Sequence, residues 1–318
     1  MMLRSIMSVF LMAGISLALT QESWQAKGEP VALTPPGQHL SQPVWSPDGQ
    51  KIAAAGQNYR GIWVMSPDGE NLRAVSSDAG AGFDFAWSTD SQEIVARTSL
   101  YRNGRKVNMI KVFNIETNTS RILKEYKSGL LTPPKWTPDN SMVYVYTKNG
   151  LVLIKSGKNA QQSAAASASE KPIFYSSGGE LVLADSEIKE RTRIKPVPGN
   201  YLNSILSPDA KRIAFEVLGG NLYVVNTDGS NLVDLGRGER PDWSPDGEWI
   251  TYVTPTDDGH RMLSSDIYVI RVNGTGRTNL TGTPDKLEMN PAWSPDGRYI
   301  AFDEENSGRI YKIKVVKP

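Results

Sequence analysis

Short runs that alternate apolar and polar residues recur along the chain, bounded by clusters of Pro, Asp, Asn and Gly. Ile-Tyr-Val-Ile at 267–270 and Leu-Tyr-Val-Val at 222–225 are two of them. Alternation with a period of two predicts strands packed between layers. The runs come in groups, and each group follows one stretch of sequence. Trp-Ser-Pro-Asp-Gly stands at 45–49, 243–247 and 293–297, and altered copies stand at 87–91, 136–140 and 206–210. This is turn chemistry: Pro presets φ at the first corner, Asp bonds its own backbone, and Gly takes the left-handed position. Trp ends the incoming strand as a large apolar block. Five of the eight tryptophans open a copy, so the aromatic content serves repeated architecture.

After each copy come a strand, a turn, a second strand, a polar turn and a third strand. In the first unit these fall at 51–55, 61–65 and 71–75, and in the fifth at 212–217, 221–226 and 231–235. With the Trp-bearing strand each unit holds four strands, the make-up of a propeller blade. Successive copies lie 42, 49, 70, 37 and 50 residues apart, and the gap of 70 is too long for one unit. Laying 136–140 over 166–170 brings Val143-Tyr144-Val145 onto Ile173-Phe174-Tyr175, which places a degenerate blade there with Ala166 where Trp should stand. Middle-strand hairpins are then predicted at 52–65, 93–113, 142–155, 172–184, 212–226, 249–271 and 299–314. The fold class is all-β, a closed propeller of seven four-stranded blades; six remain if the Ala- and Ser-rich run 160–169 is a loop. The last unit lacks a fourth strand, and Val31-Ala32-Leu33-Thr34 resembles Thr278-Asn279-Leu280-Thr281. The N-terminal strand is therefore expected to complete the last blade and remove the open edge.

Composition changes this picture little. At 39% hydrophobic and 22% charged, the 318 residues are ordinary for a folded soluble chain. Residues 1–20 read as a signal peptide, with a basic start at Arg4 and an apolar run over 6–19 too short to span a bilayer. The expected organisation is signal peptide 1–20, a short tail 21–28 and the propeller 29–318, with a periplasmic or secreted location. No second run offers a transmembrane anchor. There is no cysteine, which excludes disulfides and thiolate metal sites. Without 1–20 the formal charge is zero, so no global field draws in nucleic acid or an anionic membrane. The expected partner is a protein, peptide or cell-envelope component, met by a monomer without cofactor or metal.

Trp-Ser-Pro-Asp-Gly-x-x-Ile-Ala followed by Ile-Tyr-Val-x-x-x-x-Gly-x-Asn-Leu resembles the TolB-type propeller repeat family, relatives of the WD-repeat propellers. Residues 236–303 carry the likeness best, and weaker copies extend it over about 29–318. The resemblance implies the fold and leaves function open. The family's name-giving member adds an N-terminal α/β domain, for which residues 21–30 leave no room. The same propeller fronts prolyl-oligopeptidase-like hydrolases, whose catalytic domain would have to follow the last blade.

In such blades the turns after the first and third strands share one face and are short here. Those after the second and fourth share the other face and are long: 76–85, 98–107, 125–134, 254–265 and 282–290. Irregular loops on a rigid scaffold carry specificity, so that face and its channel mouth are the expected site. Tyr101, Arg102, Arg105 and Lys106 form a basic hairpin tip, readable as a solvated turn or as a clamp for an acidic partner. Asp257, Asp258 and His260 form a polar tip, readable as a calcium site or as a polar turn; it lacks the ligand alternation of a calcium loop, which favours the turn. Asp84, Lys135, Asn203, Arg240, Asp242 and Asn290 precede the Trp positions and should approach the axis. No nucleophile elbow or His-Glu-x-x-His is present, and only His39 and His260 exist, so no catalytic residue is assigned. The expected function is non-enzymatic binding. The alternatives are a channel-centred glycan hydrolase, lyase or lactonase-like enzyme, or a stand-alone relative of a peptidase propeller.

Overall fold

A computed structural model describes residues 23–127, 132–158, 171–185, 187 and 189–317. Its strands form seven antiparallel sheets in sequence order, the blades of a propeller. Blade I holds Ser41–Trp45, Ile52–Ala55, Arg60–Met65 and Arg73–Ala79, and blade II Ala86–Trp87, Glu93–Arg102, Arg105–Asn114 and Thr119–Tyr126. Blades V and VI are also four-stranded, from Tyr201–Leu206 to Val233–Asp234 and from Glu239–Trp243 to Thr278–Asn279. Blades III and IV show three strands each among the described residues, beginning at Lys135–Trp136 and Ile173–Ser177. Every predicted hairpin is present, so the count is seven. The copy read at 166–170 lies outside the described residues, as does the expected signal peptide.

Blade VII is Glu288–Trp293, Tyr299–Glu304 and Arg309–Val316, and its outer strand comes from the other end of the chain. Val31 pairs with Lys312 and Ala32 with Tyr311, and Leu33 N–H donates to Ile310 O at 2.7 Å. The stretch expected as a tail adds to this edge: Gln25 and Ala26 pair with Val316 and Val315. Trp24 is buried edge-on against Trp293, with ring centroids 5.0 Å apart. A residue bulkier than Gly69 could not sit beneath the closing strand. Its φ is +88°, and a Cβ there would lie 2.2 Å from Leu33 O.

Each motif builds the same turn. Ser46 Oγ donates to Asp48 Oδ1 at 2.6 Å and accepts from Lys51 N–H, while Gln50 N–H donates to Asp48 Oδ1. The hydroxyl-to-Asp bond recurs at 2.6 Å in the copies at Ser88, Thr137, Ser207, Ser244 and Ser294. The tryptophans lock neighbouring blades. Trp45, Trp87, Trp136 and Trp243 donate Nε1–H to Ala292, Val44, Ala86 and Ile205 O, always on the inner strand of the preceding blade. Apolar side chains fill every junction, as Ala53, Ile62 and Val64 meet Trp87, Ile94 and Phe113 between blades I and II. The core is thus a ring of small cores, the arrangement expected where each unit buries its faces on its neighbours.

Candidate binding site at the channel mouth

The inner strands carry a shared irregularity three residues before the motif. Gln42, Asp84, Asn203, Arg240 and Asn290 all stand at that position, all with φ between 47° and 54°. Left-handed backbone costs an L-residue roughly 1–2 kcal/mol. In blades I, V, VI and VII the ladder register shifts across this point, so the residue is a β-bulge. In blades I, VI and VII the next residue is Pro43, Pro241 or Pro291, which has no N–H to give to the ladder. A bulge re-aims its side chain, and all five side chains line the central channel.

Two buried carboxylates hold these bulges across blade junctions. Glu216 Oε2 accepts from Asn203 Nδ2 at 2.7 Å and from Arg240 N–H, one blade on, at 3.2 Å. Asp303 Oδ1 accepts from Asn290 Nδ2 at 2.8 Å and from Gln42 N–H at 2.9 Å, spanning blades VII and I. Burial pushes the Asp303 carboxyl up to about 7, against the opposing pull of its two donors and of Arg240. Burial likewise raises Asp242 to about 6, although Trp293 N–H donates to its Oδ2 at 2.8 Å.

The channel is a cavity of about 670 Å³ that runs to Pro295 at the face of the short turns. At the other end, the face of the long loops, its rim is aromatic. Tyr59 meets Phe83 edge-on at 5.2 Å, and Tyr146 stacks on Tyr175 at 4.8 Å. Tyr59 itself has φ 58°, a strained conformation for an aromatic residue. Lys135 and Asp242, directly before their tryptophans, complete the charged lining with Asp84 and Arg240. A roomy, part-apolar recess with a few convergent polar groups is suited to binding a ligand.

All six residues expected near the axis therefore meet in one cavity. The two hairpin tips do not line it. Tyr101 pairs with Lys106 and Arg102 with Arg105 around an Asn103–Gly104 turn with both φ positive, and Arg102 reaches Glu125 at 3.3 Å. In the other tip Asp257 Oδ1 accepts from Gly259 N–H, and Asp258 Oδ1 from His260 and Arg261 N–H, each at 2.9 Å. Those carboxylates close the turn, and among the described residues no three Asp, Glu or His groups gather as a metal-holding cluster. Sequence reasoning missed Gln42, Tyr59, Phe83, Tyr146 and Tyr175. Gln42 could have been found from its offset to Trp45. The rim aromatics carry no such signal, because alternation does not say which end of a strand meets the axis.

No family model matches the chain. Over 295 residues it is 28% identical to a tricorn protease homologue of Saccharolobus solfataricus, covering 86% of this chain and 24% of that relative. The Cps50 (Swd1) β-propeller domain of Myceliophteria thermophila superposes with a TM-score of 0.65 at 12% identity, over 92% of this chain and 100% of that one. TolB from Acinetobacter baumannii aligns over 86% of this chain and 63% of its own, at 16% identity and a TM-score of 0.46. The chain spans about a quarter of the length of its tricorn-type relative, and what it shares with the solved structures is the β-propeller fold.

Proposed function

We propose that this is an exported, non-enzymatic propeller that binds a polypeptide partner at the channel mouth on its irregular face. One observation carries the reading: five equivalent positions hold non-glycine residues in left-handed backbone, and all five side chains point into one aromatic-rimmed cavity. Backbone strain gathered around a recess is the kind of feature that functional sites retain. Aromatic rings at the rim offer stacking area with little side-chain entropy to lose. The tip at Arg102, Arg105 and Lys106 is a lateral contact for acidic parts of the partner.

The test compares retention of N-acetylated degenerate hexapeptides on the immobilised full chain, its Phe83→Ala/Tyr175→Ala variant and its Arg102→Glu/Arg105→Glu variant. Loss of two rim aromatics should abolish retention with little change in melting temperature, and the tip variant should weaken only acidic peptides. Equal retention by wild type and the rim variant would remove the mouth from the account.

A second reading is favoured by the likeness to the tricorn protease homologue over most of this chain. In it the propeller presents peptides to a separate hydrolase. Co-purification with a peptidase, lost in the rim variant, would support it.

A further inference from the structure

The acids and bases of the channel wall are not equally satisfied. Asp242 accepts from Trp293 N–H, and Asp84 faces the positive charge of Arg97. Among the described residues neither Lys135 nor Arg240 forms an ion pair, although the Arg240 charge pulls on the Asp303 carboxyl. The Lys135 side chain lines the cavity, half-buried, and its ammonium makes no hydrogen bond or ion pair among the described residues. Arg240 gives its guanidinium to the neutral amide oxygen of Asn290, while Glu216 and Asp303 are occupied by backbone and amide donors. Lys135 belongs to blade III and Arg240 to blade VI, on different sides of the seven-bladed ring.

A half-buried ammonium without a counter-ion has lost part of its hydration and gained nothing in return. With Arg240, whose guanidinium is hydrogen-bonded among the described residues only to a neutral amide, it makes a recess where an anion is stabilised by charge-assisted hydrogen bonds. Lys135, paired with Tyr144, lies deeper than the rim residue Tyr146, so a chain stacked at the mouth would carry a short acidic group inward.

We propose that the channel binds a carboxylate of the polypeptide ligand, held between Lys135 and Arg240. This rests on the reading of the mouth as a polypeptide site and adds what that site selects. The carboxylate can come from a chain terminus or from an acidic side chain, and both present the same chemistry to the two cations.

Three N-acetylated degenerate hexapeptide mixtures separate the possibilities on the immobilised full chain. One has a free C-terminus and no Asp or Glu; one is amidated and without acids; one is amidated with a single Glu at varied positions. Losing a charge-assisted hydrogen bond lowers affinity by roughly tenfold or more. The neutral mixture should therefore be retained about tenfold less than at least one acidic mixture, and the better of the two names the source. Lys135→Gln and Arg240→Gln should each bring the acidic mixtures down to the neutral level, and Lys135→Arg should restore retention. Lys135→Glu should turn the preference toward mixtures with a single Lys, an outcome that partial unfolding cannot produce. Equal retention of all three mixtures would overturn the carboxylate proposal and leave the polypeptide site standing. If wild type retained none of them, both would fall.

Discussion

Asp303 gives the sharpest test of how the mouth is held. Its carboxylate is 3% exposed, accepts one donor from blade VII and one from blade I, and has its pKa pushed from 3.8 to about 7. That shift corresponds to roughly 4 kcal/mol between protonated and ionised forms, an order-of-magnitude figure. The sign follows from linkage. A carboxyl that binds its proton more tightly when folded disfavours the folded state once it ionises, so its burden is full above pH 7 and absent below about pH 4. Asp303→Asn keeps an oxygen for Gln42 N–H and Asn290 Nδ2 and removes the buried charge. It should therefore be more stable than wild type at pH 8, by about 1–3 kcal/mol, with the gap closing as pH falls to 5. Asp303→Ala leaves two donors without an acceptor and should lose about 2–4 kcal/mol. Urea unfolding followed by tryptophan fluorescence between pH 5 and 8 reads all three proteins. An Asn variant as unstable as Ala, with the same difference at every pH, would refute the clamp.

The motif turns behave in the opposite sense. Partial burial pushes Asp48, Asp90, Asp139, Asp209, Asp246 and Asp296 up, but hydrogen bonds from side chains and backbone N–H outweigh it and hold them below the usual carboxylate range. Their stabilisation is complete above about pH 4 and fades as pH falls through the lowered values, so Asp246→Asn should cost stability at pH 7 and none near pH 2 in the same assay. Ser244→Ala removes the hydroxyl that donates to Asp246 and accepts from Trp249 N–H; a loss of about 1–3 kcal/mol is expected, and Ser244→Thr should recover most of it, as Thr137 serves that place in blade III. Trp24→Ala should cost about 3 kcal/mol and speed proteolysis near residue 30, because the ring closes on that side chain. Unchanged cleavage would mean the closing strand holds without it. Gly69→Ala should release the same strand through the clash with Leu33 O, which hydrogen exchange at Leu33 N–H would report.

What the sequence determined is everything that depends on local chemistry repeated at a fixed offset. Ser-Pro-Asp-Gly turns, strand alternation and the echo between 31–34 and 278–281 predict the blades, their number and the N-terminal closure, because each is settled by a few adjacent residues or by burial with period two. Even the channel lining followed from counting back from Trp, which gave Asp84, Lys135, Asn203, Arg240, Asp242 and Asn290. What only the tertiary structure decided is how neighbouring blades act on one another. The hydrogen bond from Gln42 N–H to the Asp303 carboxylate joins residues 261 apart, and Glu216 reaches Arg240 across a blade junction. The same holds for Tyr146 on Tyr175, and for Lys135, whose ammonium meets no carboxylate among the described residues. Such pairings depend on the angle and register at which one sheet meets the next, and no local pattern encodes that angle. The hairpin tips were conspicuous in sequence because charge on a turn is visible locally, yet the ring places them away from the cavity, where water already serves them.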